Sequence, residues 1–268
     1  MAQFASISPA SLMRLIGTPN APEIIDVCLQ EDFDNDPYLI PTARRCPHIS
    51  IEDRMPELAG KRVVVVCQKG LKLSQGAAAL LRTHGIRAEV LEGGNMAWRA
   101  ADLPRVPEAA LRRTGPHTRW VTRHRPKIDR IACPWLIRRF VDPHAQFLFV
   151  PPSDVAAVAE KFDATAFDMP DAPWTHAGPL CTFDAIVEGF GLRYPALDRM
   201  ARVIRGADTN KHTLAPECAG LLALSVGLSR AHADDQAQLD VGMVLYDALY
   251  RWARDGQNET HDWQEDAA

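Results

Sequence analysis

The sequence predicts an α/β protein: a parallel sheet flanked by helices in the first hundred residues, then a second, mixed α/β region that is mainly helical. Three observations carry this. β-rich runs at residues 23–27, 62–66 and 88–91 alternate with helical patterns. The valine run at 63–66 is continuous, as expected of a parallel strand buried on both faces. After residue 183 helical spacing dominates. With 268 residues, 47% hydrophobic and 24% charged, the chain is long enough for two domains, each with its own core.

The first elements follow from local pattern. Between the second and third runs, residues 74–85 (SQGAAALLRTHG) place alanines and leucines at helical spacing and end in Gly85. Strand, helix, strand within about 30 residues is a βαβ unit, so the sheet is parallel. Gly93 and Gly94 then break the pattern before a short helix, NMAWRAA, which Pro104 stops. Residues 105–118 are rich in Arg and Pro and read as a connection over the surface. The expected division is a first domain over 1–106, a linker over 107–118, a second domain over 119–255 and a polar, frayed tail over 256–268. Within the second domain, helices are expected at 130–141, 153–162, 183–190, 196–205, 216–230 and 236–254. Short strands are expected there at 119–123, 146–150 and 165–168.

Composition removes several classes of function. A net charge of −4 and a pI near 6.1 give no global attraction to nucleic acid or anionic membrane. No segment reaches the roughly 20 apolar residues that span a bilayer, and the first residues lack the pattern of a secretory signal. The six cysteines (Cys28, Cys46, Cys67, Cys133, Cys181, Cys218) show no CxxC or zinc-finger spacing. They read as reduced thiols of a cytoplasmic protein.

Cys67 follows directly on the valine run and opens the segment CQKGLKLS, which leads into a helix. A strand that ends in a glycine-containing loop and feeds a helix N-terminus turns several N–H groups towards one point, a cradle for an anion. The thiolate is the nucleophilic form of cysteine, so a cysteine at that edge reads as a reactive residue. Gln68, Lys69, Gly70 and Leu71 form the cradle, with Gly70 allowing the curl. Lys72 adds a cation within reach of a bound oxyanion, and Ser74 can cap the helix. The competing reading is a small buried hydrophobe at a strand end.

This loop resembles the active loop of the rhodaneses, Cys-x-x-Gly-x-Arg-Ser, with Lys72 in the Arg position and Leu73 inserted before Ser74. Residues 25–27 (IDV) and 88–104 (AEVLEGGNMAWRAADLP) are similar to two further rhodanese landmarks. Cys28 stands where many relatives carry Arg. The resemblance covers roughly residues 6–105 and implies a persulfide on Cys67, passed from a sulfur donor to an acceptor thiol. A related loop serves cysteine-dependent phosphatases, but they need an arginine six positions after the cysteine, where this chain has Leu73.

Residues 119–142 hold seven Arg or Lys against two acids. Arg123, Arg125 and Lys127 alternate as on one face of an extended strand, and they are the candidate anion-binding cluster. A solvated basic face is the competing reading. Three further polar residues, His176, Asp184 and Asp208, lie near element ends. One imidazole with two carboxylates suits iron, manganese or zinc. Asp129 is a fourth candidate ligand, or a partner of Arg125 or Lys127. Asp184 as a helix cap and Asp208 in an Asx turn are the structural alternatives. Cys133 and Cys181 read as packing thiols, and His124 and His144 as exposed.

The stretch RPKIDRIACPWLIRRF, with the later segments THAGPLCTFDAIVEGFGL, VIRGADT, LLALSVGLSR and GMVLYDALY, closely resembles the C-terminal domain of the chromate-resistance protein family. That resemblance runs from about Trp120 to Arg254 and implies a part in resistance to chromate or a related oxyanion stress. Some members of the family are regulators with a different N-terminal half. Here a rhodanese-like domain stands in its place, so nucleic acid is not an expected partner. The favoured reading couples persulfide chemistry at Cys67 to a second domain that handles an oxyanion or a metal. The partners are then a small-molecule or thiol sulfur donor and acceptor, with no membrane. A non-catalytic oxyanion sensor and a metal-dependent redox enzyme seated in the second domain stay open.

Overall fold

The computed structural model describes residues 5–111 and 117–259. The first half runs β1 (Ser6–Ile7), α1 (Pro9–Leu15), β2 (Glu23–Asp26), α2 (Gln30–Asp34), β3 (Tyr38–Leu39), β4 (Arg44–Arg45), α3 (Met55–Leu58), β5 (Arg62–Val66), α4 (Lys72–Thr83), β6 (Arg87–Leu91), α5 (Gly94–Ala100) and β7 (Val106–Pro107). Five of these strands form one sheet in the order β1-β6-β5-β2-β4, every neighbour parallel. The continuous valines of β5 are explained by its central place. Val64 and Val66 join Ile24, Leu91 and Trp98 on one face of the sheet. Val63 and Val65 join Ile25, Ala78 and Leu81 on the other.

The second half runs β8 (Arg119–Arg123), α6 (Asp129–Phe140), β9 (Gln146–Val150), α7 (Val155–Lys161), β10 (Thr165–Ala166), α8 (Thr182–Gly189), α9 (Pro195–Asp208), α10 (Cys218–Ala231) and α11 (Asp235–Asp255). Its three strands form a parallel sheet in the order β10-β8-β9. Helices α6, α8, α9 and α11 pack around a core that includes Trp135, Phe140, Phe183, Ile204 and Tyr250. The predicted fold class is therefore the observed one. Among the described residues, no helix is long and apolar enough to cross a membrane.

The connection differs from the expected surface path. Val106 is buried and pairs, within β7, with β3 in an antiparallel ribbon. Leu103, Ala110 and Leu111 pack on the core. These apolar side chains draw the chain inwards despite the Arg and Pro around them. Residues 112–116 of the expected linker and residues 260–268 of the expected tail lie outside the described residues. The apolar core is continuous from one half to the other. At the junction the Thr42 N–H donates to the Phe140 carbonyl at 3.1 Å, and His144 Nε2 lies 3.3 Å from Glu23 Oε1. His144, expected to be exposed, is thus half-buried by that contact.

Candidate functional site

At the end of β5 the chain turns through residues 67–71 into α4. Cys67 is 5% exposed and forms part of the wall of a cleft of about 640 Å³, with Asp32, Lys69 and Lys72 among the other lining residues. Its Sγ lies 3.2 Å from the Ser74 hydroxyl, which also reaches the Leu71 carbonyl at 3.0 Å. That hydroxyl can accept from a thiol or turn to donate to a thiolate. Ser74 does not cap α4 as expected. It lies buried inside the first turn, while Leu71 is the N-cap residue and supplies no side-chain hydrogen bond. Among the described residues, the N–H groups of Lys69, Gly70 and Leu71 donate to no backbone carbonyl. Three undonated amides, from the second residue after Cys67 onwards, and an uncapped helix start therefore follow the sulfur, an arrangement that favours a bound anion.

The paired glycines after β6 hold this loop in place. Gly70 has φ +66°, and a Cβ there would meet the Leu91 carbonyl and the Gly93 and Gly94 nitrogens. The N–H groups of Asn95 and Met96 donate to the carbonyls of Cys67 and Gln68 at 3.0 and 3.1 Å. Buried Asp26 ties the neighbouring strand end to the same turn, accepting from the Cys28 N–H at 2.8 Å and from Asn95 Nδ2 at 3.1 Å. Burial raises the Asp26 pKa against those hydrogen bonds. Cys28, beside Gln68, has its thiol pushed up to about 12, by burial first and then by the charges of Asp26 and Asp32. It is a protonated thiol at neutral pH.

A second group of polar residues lies beyond the C-terminal end of β8. The chain leaves that strand through Arg125 (φ +55°) and Ile128 (φ +43°), a conformation costly for a β-branched residue, and enters α6 at Asp129. Asp129 is 1% exposed. Its Oδ2 accepts from the Thr182 N–H at 2.6 Å, and its Oδ1 is buried with no hydrogen-bond partner among the described residues. His176 Nε2 sits 3.1 Å from Asp208 Oδ2, 3.4 Å from Asp168 Oδ1 and 3.5 Å from Asp129 Oδ2. Asp129, His176 and Asp208 each bring one potential ligand atom to a group whose members all lie within 4.8 Å of one another.

The electrostatics follow from that crowding. Burial, with the charge of Asp168 adding to it, raises the Asp129 pKa despite the hydrogen bond with His176. Burial and then the charges of Asp129 and Asp168 push Asp208 up to about 7. The hydrogen bond with Asp129 lifts His176 to about 9 against the opposing effect of burial. Cys133 and Cys181 lie wholly buried nearby, and burial with the Asp129 charge raises both thiols, in keeping with packing roles.

Other expected site residues fall elsewhere. Asp184 is not part of the group: it accepts from the Cys181 N–H at 3.0 Å, closing the start of α8, and pairs with Arg205 at 2.9 Å. Arg123, Arg125 and Lys127 do not share a strand face, because β8 ends at Arg123 and the left-handed Arg125 turns the chain. Arg123 approaches Asp168 at 3.4 Å, Arg125 reaches the Ser229 carbonyl at 3.2 Å, and Lys127 is exposed. Arg130 comes closer, with Nε 3.2 Å from Asp168 Oδ2. Asp168, which also accepts from the Thr182 hydroxyl at 3.1 Å, went unassigned in the sequence. The available signal was its place just past the short strand β10. Sites in parallel sheets gather at the carboxyl ends of strands.

The comparisons with known proteins divide at the same region of the chain. A family model for the C-terminal domain of ChrB matches residues 120–253, half of the chain, and one for the rhodanese-like domain matches residues 8–101. Protein ChrB of Cupriavidus metallidurans is 40% identical over 133 residues, a match spanning 49% of this chain and 39% of that relative. A rhodanese-related protein from Thermoplasma volcanium is 23% identical, with a TM-score of 0.34, over 38% of this chain and 98% of that one. Thiosulfate sulfurtransferase from Pseudomonas aeruginosa is 25% identical, with a TM-score of 0.35, over 39% of this chain and 20% of that one. With half its length matched by the family model, this chain belongs to the ChrB C-terminal domain family and carries a rhodanese-like domain ahead of that domain.

Proposed function

We propose that the chain is a sulfurtransferase-type protein that forms a persulfide on Cys67. In this reading its second domain handles an oxyanion or a metal in resistance to chromate or a related oxidative stress. The observation that carries it is the cleft at Cys67, where an uncapped α4 and the amides of Lys69, Gly70 and Leu71 follow the sulfur. The Cys67 thiolate attacks the outer sulfur of a donor such as thiosulfate. A new S–S bond forms to Cys67, the donor's S–S bond breaks, and its electron pair leaves with sulfite. An acceptor thiolate then takes the outer sulfur and returns Cys67 to the thiolate. The amides and Lys72 hold the donor's oxyanion, and the Ser74 hydroxyl donates to whichever sulfur of Cys67 carries the charge.

The second-domain half of the reading is supported by the acidic group around His176, which Arg123 and Arg130 border through their pairs with Asp168. Cys67→Ser is the direct test of the first half. Incubation with thiosulfate should add one sulfur atom, about 32 Da by mass spectrometry, to the parent and none to the variant, with the melting temperature kept. Sulfur transfer by the variant at the parent rate refutes the assignment.

A further inference from the structure

We infer that Asp129, His176 and Asp208 bind one first-row divalent cation (manganese, iron(II) or zinc), with Asp168 and its arginines bordering the site. This deepens the second-domain half of the reading above and does not depend on Cys67. The argument rests on geometry. His176 Nε2 has carboxylate oxygens of three different residues at 3.1, 3.4 and 3.5 Å. One N–H cannot satisfy three acceptors. Ligand atoms about 2.1 Å from a common ion stand roughly 3.0 Å apart in an octahedral site and 3.4 Å in a tetrahedral one. The separations of the Asp129 and Asp208 oxygens from Nε2 are of that size.

Asp129 supplies the second, independent observation. It is 1% exposed, yet its Oδ1 has no hydrogen-bond partner among the described residues. A buried carboxylate with a donorless oxygen is costly, and a cation bound through Oδ2, the oxygen nearer His176 Nε2, lowers that cost by neutralising the group. Arg130 and Arg123 do not serve instead, because both engage Asp168. Their ion pairs are with Asp168, and the Arg130 charge reaches Asp208 and Asp129 without a direct contact. Among the described residues no arginine pairs with Asp129 or Asp208; Asp129 Oδ2 has the neutral Thr182 N–H, and both carboxylates face the imidazole of His176. One nitrogen and two carboxylate oxygens form a mixed set suited to first-row ions, and three protein ligands leave positions for water or an anion. The site also differs from the set expected in the sequence, because Asp184 is engaged by Cys181 and Arg205.

The test uses the full chain, stripped with a chelator and titrated separately with Mn²⁺, Fe²⁺ under anaerobic conditions, and Zn²⁺. Binding is read by calorimetry, by melting temperature and, for Mn²⁺, by loss of the free-ion electron paramagnetic resonance signal. At least one of these ions should bind at one per chain and raise the melting temperature by about 5–10 °C at a hundredfold excess over Kd. Asp208→Asn and His176→Gln, at less buried positions than Asp129, should each weaken binding by about tenfold or more. Asp129→Asn should do the same if it folds. Asp184→Asn and Cys67→Ser should bind as the parent does. No stoichiometric binding of any of the three ions overturns the inference, and so does undiminished binding in both Asp208→Asn and His176→Gln. Loss in Asp184→Asn equal to that in Asp208→Asn would overturn the ligand set. Because Cys67→Ser keeps the metal while abolishing sulfur transfer, failure of either function leaves the other measurable.

Discussion

Gly94→Ala tests whether the glycine pair after β6 exists to seat the Cys67 loop. Gly94 has φ +60°, and a Cβ on it would fall on the Cys67 carbonyl oxygen. The same Cβ would lie 2.5 Å from the Gly70 nitrogen and 2.9 Å from the Gln68 carbonyl carbon, where ordinary contact begins at 3.4 Å. These are backbone atoms, so no side chain can swing aside. The left-handed conformation costs alanine roughly 1–2 kcal/mol, and overpacking a tight contact adds about 1–3 kcal/mol. The total, about 2–5 kcal/mol, corresponds to a melting-temperature loss of roughly 5–20 °C. The activity loss should exceed what unfolding alone explains. Relief of the contact displaces Cys67 by close to 1 Å, and a misplacement of that size costs about a hundredfold in rate. Gly76→Ala is the control. It lies within α4, and a methyl group added there meets nothing within 4 Å, so the change should stabilise by about 0.5–1 kcal/mol and leave transfer intact. The assay is sulfur transfer from thiosulfate to cyanide at a temperature where both variants are folded, alongside thermal melts. A Gly94→Ala protein with the parent's melting temperature and transfer rate would refute the account of this loop.

Two further predictions concern charge. Lys72→Arg should raise kcat/KM for thiosulfate by a few-fold to tenfold, since a planar fork holds a tetrahedral oxyanion better than a point charge, and about 1 kcal/mol is a factor of five; steady-state kinetics with an unchanged or lower value would mean that residue 72 does not face the donor. Glu23 is drawn below its ordinary value of 4.5: burial raises its pKa, but Lys61, His144 and Arg44 together outweigh that. A lowered folded pKa gives stability that is present above the unfolded value and lost as pH falls through the folded one. Glu23→Gln should therefore be less stable than the parent at about pH 6, with the gap closing below pH 4.5 in urea melts; a gap that persists at low pH would show that the loss is not electrostatic.

Local chemistry was the legible part of this chain. The valine run, the βαβ spacing and the helices of the second half all rest on patterns confined to a few turns, and the observed elements fall within a few residues of them. The place of Cys67 between a strand and a helix was legible for the same reason, since strand, cysteine, glycine loop and helix are consecutive. The acidic group was only partly so. His176 and Asp208 could be singled out, but Asp at the start of a helix reads equally as a cap or a ligand, and for Asp184 the cap is what the fold uses. Asp129 and Asp168 are 39 residues apart and meet His176 only because β8 and β10 are neighbours. The alternation of Arg123, Arg125 and Lys127 misled because positive φ at Arg125 and Ile128 leaves no mark that composition can show. Nor does an Arg- and Pro-rich connection disclose that Val106 will be buried.

The arrangement of the two halves bears on how the two chemistries relate. Cys67 belongs to the core layer with Val63 and Val65, on the sheet face away from the one that merges with the second half. One of the contacts between the halves joins Arg254 to the Arg14 carbonyl at 2.7 Å; another lies at the C-terminal end of α6, where the Phe140 carbonyl takes the Thr42 N–H. Asp129 begins the same helix eleven residues earlier, about 16 Å along its axis at 1.5 Å per residue. Between those ends α6 is clamped to α11: Asp247 accepts from Trp135 Nε1 and twice from Arg139, each at 2.8 Å. Ile131 packs where Gly242 leaves room for it. A helix held this way fixes the position of Asp129 relative to the junction. On the proposed chemistry, the acceptor thiol reaches the Cys67 sulfur through the cleft that this residue lines.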